Sequence, residues 1–563
     1  MRVPLRLIPL LMLFLPTLRA QESGLELIPE TAVAVIRIQA PEQITADLVE
    51  FINKVQPGFG GFAEAQLPMV FGQAIKNPQL VGVDQSKDWY VALFIDVSGQ
   101  PKGVLVLPVT DSNKAKGAME QTFEFVEHED WLICSPEGRF FDEFEGLKNQ
   151  KLDSAASMLD DHMQAMIMKG HLSVAVNAVL LRETFADELN SAEDHLEELI
   201  QTMGDKIQQA SPSMDMEYVL DMYRDLGKTL LQAVNDSESY ALSIEVTVDA
   251  LKIDQLLSVG EETATAAYFA TQPVSDMPSL KSVPEGLMGY MGIHGNPDSL
   301  LTWLKSVVEK VIKNEKQKAL TMKALESLKE AEFGTLAAGG ALLPEEDTAM
   351  RYFSVTEIAP AQQIRDMMKS MGNGVTYEVA GIEQQLTYEP DAEKIGDQSV
   401  DIYRFKQTIP DGLDPTGMQK KINEKLYGTD GMVQRLLLKD NVMLQTMGGG
   451  LDAMKQLVES PGWQDETLLS ARARQHEKAN LIILVDLPNS VYKFAKLIIG
   501  TGALPIPIQS EQIEGLELPA SYSGFSMAME ENRLSTTTNI SVESFQGFAR
   551  MAMFVQQMQQ QQQ

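Results

Sequence analysis

The sequence predicts an α+β protein of two tandemly duplicated lobes, each an antiparallel sheet covered by helices, with a coiled-coil-like helical hairpin inserted in the first. Three observations carry this expectation. The order of strands, hairpins and helices between Ile28 and Thr271 recurs in degraded form between Val283 and Val555. Apolar runs pair as hairpins that feed helices, the pattern of antiparallel sheets covered on one face. The chain, at 563 residues, is too long for one core, whereas two lobes fit the usual domain size.

The elements follow in order. Residues 1–20 read as a signal peptide: Arg2 and Arg6 precede the apolar run Leu7 to Leu15, and Ala20 precedes Gln21. That run is shorter than the roughly 20 residues of a spanning helix. The first lobe, 21–273, opens on Pro29-Glu30-Thr31 and a strand to Ile38, then Pro41-Glu42 starts a helix through Ile44, Leu48, Phe51, Ile52 and Val55. The second lobe, 274–555, opens on Pro284-Glu285-Gly286, reaches Ile293, and starts a helix at Pro297-Asp298. Proline and an acid suit a helix start through the fixed φ of proline and the positive end of the dipole.

Hairpins follow at Trp89 to Val109 and at Thr335 to Thr356. A second pair turns at Glu129-Asp130 and Asp440-Asn441. Each lobe closes on two alternating strands and a helix, Ser239 to Ala270 and Ser521 to Ala552.

Two insertions break the symmetry. Residues 178–235 form a long helical hairpin: Phe185, Leu189, Ala192, Leu196, Leu199 and Met203 step by four and three, as do Met216, Val219, Tyr223, Leu226, Leu230 and Ala233. These two stripes are expected to form its seam. Residues 372–414 read as a β-rich insertion, and Gln556 to Gln563 as a disordered glutamine-rich tail.

Composition bounds the partners. Net charge is −33, and loss of Arg2, Arg6 and Arg19 with the leader makes it −36. Such a field opposes nucleic acid and anionic lipid and favours cationic partners. The lone Cys134 allows no internal disulfide and sits in a strand as a small buried apolar residue. Export without a further apolar span places the chain in the periplasm or outside the cell.

Catalytic sets are not found. Ser490-Val-Tyr-Lys493 has the S-x-x-K spacing, which puts serine and lysine one helical turn apart, but the companion K-T-G and S-D-N elements are missing. Met158, His162 and Met166, at i, i+4 steps, form the candidate metal cluster, with donors suited to Cu(I); gap-filling methionine in a core is the competing role. Acidic pairs at Asp160-Asp161, Glu345-Glu346-Asp347 and Glu530-Glu531 suit polar turns, and Gly448 to Gly450 suits a helix-entry turn. No cofactor is indicated.

The Pro29 to Val35 opening and the paired closing hairpins resemble uncharacterised exported bacterial proteins with duplicated α+β units, a resemblance that implies no activity and no site residues. The expected function is that of an exported, non-catalytic binding or scaffolding protein of the cell envelope, its protein partner meeting the inter-lobe groove or the hairpin. Alternatives are a carrier of an apolar ligand such as lipid, and a serine hydrolase using Ser490.

Overall fold

The computed structural model describes residues 24–561 apart from 97, 211–216, 312–314, 329–330, 372–374, 380–381, 411, 413 and 503–514. The leader expected at 1–20 therefore lies outside the described residues. Helix makes up 43% and strand 31% of the chain, and every pairing between described strands is antiparallel. The class is α+β.

Contacts divide the chain into two compact units, one of residues 1–49, 61–184 and 239–245, the other of 50–60, 185–238 and 246–563. This differs from the boundary expected at 273–274. The helical hairpin and the last strand and helix of the expected first lobe count with the second unit.

Unit one contains β1 (Ala34–Ile38), the start of α1 (Pro41–Val55), α2 (Gly60–Ala74), β2 (Trp89–Ile95), β3 (Pro101–Pro108), α3 (Ser112–Met119), β4 (Glu124–His128), β5 (Trp131–Ser135), α4 (Phe141–Lys148), α5 (Asp161–Lys169), β6 (Leu172–Asn177), α6 (Ala178–Thr184) and most of β7 (Ser237–Val246). Its ladder runs β4-β5-β3-β2-β1-β6-β7. Local chemistry sets the ends: Asp111 accepts from the Lys114 amide at 3.1 Å and caps α3, and Asp160 accepts from the Met163 amide at 2.8 Å and caps α5. Strand alternation buries Trp89, Leu107, Leu132 and Cys134 against Ala115 and Met119 of α3. Burial pushes the Cys134 thiol up to about 12.

Arg37 of β1 is buried but fully engaged. It donates to Asp88 Oδ2 at 2.8 Å and to the carbonyls of Ile167 and Gly170 at 3.0 and 2.6 Å. It therefore ties β1 to the C-terminal end of α5.

Unit two adds α7 (Ala186–Ala210), α8 (Glu217–Asp236), β8 (Ala250–Val259), α9 (Ala264–Ala270), β9 (Gly289–Ile293), α10 (Pro297–Val311), α11 (Glu315–Ser327), β10 (Glu332–Leu342), β11 (Met350–Ala359) and α12 (Gln362–Met371). Next come β12 (Val375–Val379), β13 (Ile382–Ile395), β14 (Gln398–Thr408), α13 (Met418–Tyr427), β15 (Met432–Lys439), β16 (Val442–Met447), α14 (Gly450–Val458) and α15 (Glu466–Ala473). The chain ends in β17 (Leu481–Asp486), α16 (Leu487–Gly500), β18 (Tyr522–Glu530), β19 (Arg533–Ser541) and α17 (Val542–Gln561).

The ladder of unit two runs β12-β13-β14-β15-β16-β11-β10-β9-β17-β18-β19-β8. Its middle stretch, β15-β16-β11-β10-β9-β17-β18, has the connectivity of the unit-one ladder strand for strand. Even the tight turns agree: Glu129 and Asp440 hold φ of 50° and 52° at the corresponding hairpin tips. The 372–414 segment supplies β12, β13 and β14 as a meander on one edge. In the core, Tyr290, Phe353, Leu437, Met454, Trp463, Ile482 and Tyr522 pack together.

The glutamine tail differs from expectation. α17 continues through Gln561, and residues 562–563 lie outside the described residues. Extending an existing helix adds a hydrogen bond per residue without a new nucleus, and glutamine is a good helix former.

Among the described residues no helix is long and apolar enough to cross a membrane.

Candidate functional site: the α7–α8 hairpin

The first arm of the hairpin expected at 178–235 is two helices, α6 and α7. α6 ends at Thr184, whose hydroxyl donates to the Leu180 carbonyl at 2.8 Å, a back-bond that bends helices, and α7 restarts with the Leu189 amide on the Phe185 carbonyl at 3.0 Å. α8 is secured at its C-terminal end: Asp236 Oδ2 accepts from the Thr265 amide and hydroxyl at 3.0 and 2.6 Å, at the start of α9.

The seam between α7 and α8 is not the one the heptads predict. A methyl group on Gly204 would come within 2.7 Å of Leu220, and one on Gly227 within 2.5 Å of Leu196, so these glycines permit a close approach. α8 therefore faces α7 with Leu220, Arg224 and Gly227, and Ile200 of α7 is only 2% exposed. Of the predicted seam residues Leu196 lies in it, whereas four are exposed: Leu199 at 58%, Tyr223 46%, Leu226 54% and Leu230 59%, joined by Val234 at 47%. Met216 and Val219 have no described side chains.

Ion pairs line one flank of the seam. Arg224 pairs with Glu197 at 2.8 Å and with Asp221, and Lys228 pairs with Glu193 at 2.9 Å. With about 100° between successive residues, Tyr223, Leu226, Leu230 and Val234 share one stripe of α8 on the opposite flank, and Leu199 points to that same flank from α7. The hairpin thus has an ionic flank and an exposed apolar flank.

The metal candidates do not converge on one helix. Met158 ends a 3₁₀ turn before Asp160, and its sulfur accepts from Asn177 Nδ2 at 2.9 Å. α5 begins only at Asp161, leaving His162 exposed in its first turn and Met166 half-buried further on. Asp160 as the N-cap breaks the helix between Met158 and His162.

Ser490 lies in the first turn of α16 and donates to the Asp486 carbonyl at 2.6 Å. Of the acidic pairs, Glu345 meets Lys496 at 2.5 Å and Glu346 meets Arg351. Gly448 and Gly449 hold φ of 75° and 68° where a methyl on Gly448 would lie 2.0 Å from the Met350 carbonyl, as a close helix-entry turn requires. Among the described residues no three His, Cys, Asp or Glu side chains form a metal-binding group.

A serine–histidine contact escaped the sequence reading. His476 Nδ1 lies 2.8 Å from Ser526 Oγ, and the His476 amide donates to the same oxygen at 3.1 Å. Ser526 is fully buried on β18, so a substrate has no path to it. The contact instead secures the segment before β17.

Burial holds the His476 imidazole below its ordinary value of 6.5, Asp254 and Glu530 pulling it up and Lys252 and Arg472 pushing it down. The neutral ring is the folded form, so its contribution is present above the unfolded value and is lost as pH falls below about 6.5. Between pH 7 and 5 the wild type should lose stability more steeply than His476→Gln. Parallel urea-midpoint profiles would refute this.

An open cleft of about 510 Å³ in unit one mixes Glu127, His128 and Lys148 with Leu27, Ile133 and Phe144. It is not the sealed apolar space that lipid carriage requires.

No family model matches the chain, and no curated protein matches it. Two solved structures are similar, crystal forms III and I of TP0453, at 11% and 10% identity. They cover 48% and 49% of this chain and 98% of their own, with TM-scores of 0.20 and 0.18, too low to bear on fold or function.

Proposed function

We propose that the chain is an exported, non-catalytic binding or scaffolding protein built from two copies of one α+β unit, and that it engages a protein partner through the α7–α8 hairpin. The shared seven-strand connectivity supports the duplication. α6 follows β6 as α16 follows β17, and α7 and α8 are additions to that common plan. Export rests on the leader read at residues 1–20.

The single observation that carries the partner role is the exposed apolar flank of Leu199, Tyr223, Leu226, Leu230 and Val234. Large apolar side chains gathered on one exposed flank mark an interaction surface when they are contiguous. Replacing Leu226 and Leu230 by serine in the full chain should leave the unfolding midpoint within about 0.5 kcal/mol of wild type, because neither is buried. Recovery of cross-linked partner from the native host should fall severalfold. Undiminished recovery would remove the hairpin from the function.

A further inference from the structure

The net charge of the hairpin bears on what can lie on its apolar flank. Between residues 186 and 236 the hairpin carries twelve acidic and three basic side chains. Two of the basic ones, Arg224 and Lys228, are already paired with Glu197, Asp221 and Glu193. Asp187, Glu188, Asp194, Glu198 and Asp205 of α7 and Asp225 of α8 are exposed and meet no cation among the described ion pairs.

We propose that the apolar flank docks a cationic amphipathic helix of a partner protein. This rests on the reading of the hairpin as the interaction element and names the class of its partner. Tyr223, Leu226, Leu230 and Val234 recur at steps of three and four, a row of about 17 Å that matches three turns of an opposing helix. By the same 100° spacing Glu188 shares the apolar side of α7 with Leu199, and the other acids act through the hairpin's surplus of twelve acidic over three basic side chains, which favours a partner helix carrying lysine or arginine.

Other occupants fit less well. A second copy would set the same acidic surplus against itself, since like charges across an interface are repulsive. An anionic lipid surface is opposed on the same ground.

The test uses the full-length chain and synthetic helices of about 18 residues. One peptide places leucine at helical spacing with lysine elsewhere. A second has glutamate for each lysine, and a third has the first one's composition in scrambled order. Fluorescence anisotropy should show the lysine peptide binding at least about tenfold more tightly than either control. That affinity should drop about tenfold or more from ~50 to ~500 mM salt, and likewise in the Leu226→Ser/Leu230→Ser chain. Equal binding by the glutamate peptide, or by the scrambled peptide, overturns the proposal.

A photo-reactive residue at position 226, introduced in the native host, separates the two levels of the reading. An adduct within a basic helical segment supports the proposal. An adduct within an acidic or neutral segment overturns the cationic helix and leaves docking standing. Absence of any adduct overturns docking itself.

Discussion

Asp401→Ala is expected to destabilise unit two by about 3–5 kcal/mol, read as a lowered urea midpoint. Asp401 is buried on β14 and accepts four hydrogen bonds: from Arg365 Nε at 2.9 Å, Arg365 Nη2 at 2.5 Å, Tyr388 OH at 2.5 Å and the Asp391 amide at 2.8 Å. The carboxylate beside Arg365 raises the guanidinium pKa, and burial, with Asp401 alongside, raises that of the Tyr388 phenol. Removing it leaves Arg365 only its pair with the more exposed Asp391 at 2.7 Å and takes the Asp401 acceptor from the phenol and the Asp391 amide, which costs more than the pair ever contributed. A compensated variant, Asp401→Leu with Arg365→Met, should recover more than half of the loss, since no buried charge is then left unpaired and Asp391, which loses Arg365, is largely exposed. If Asp401→Ala loses less than about 1 kcal/mol, the cluster does not hold the β12–β14 meander to α12.

The second large effect is expected from Trp463→Ala, about 3–5 kcal/mol in the same unit. Trp463 is buried, donates through Nε1 to the Val283 carbonyl at 2.9 Å, and meets Tyr290 edge-on at 5.0 Å. Tyr290 in turn donates to the Pro284 carbonyl at 3.2 Å and lies 5.7 Å from Tyr522, which donates to the Leu287 carbonyl at 2.7 Å. Burial pushes the Tyr290 phenol up to about 12. Truncation would leave a cavity among these rings and an unpaired carbonyl. Trp463→Phe keeps a ring against Tyr290 and loses mainly the hydrogen bond, so it should cost about 1–3 kcal/mol. Equal losses for the two variants would mean that ring packing contributes little.

Much of the layout is legible from local rules. The alternation in Trp89–Ile95, the Asp111 cap, and the turns at Glu129 and Asp440 are each dictated by neighbours in sequence. The same rules, applied harder, would have separated Met158 from His162, because Asp160 is a strong N-cap placed between them. Composition alone reads the glutamine tail as disordered, whereas the helix leading into it continues through Gln561. The Ser526–His476 contact joins residues fifty positions apart and has no local signal. Arg365 with Asp401, and Trp463 with Val283, are paired across 36 and 180 positions and were equally hidden.

The α7–α8 pair shows where local pattern ends. Residue order alone gave two amphipathic helices, an acidic composition and an antiparallel α+β plan. Hydrophobic spacing pointed to the row through Tyr223, Leu226 and Leu230 as the seam of α8; a second row runs through Leu220, Gly227 and Leu231. Packing chose the second, because Gly204 and Gly227 lack the Cβ atoms that would hold the helices apart. Periodicity tells which side chains share a face; which face finds a neighbour depends on how closely two backbones can approach, and that is settled only in three dimensions.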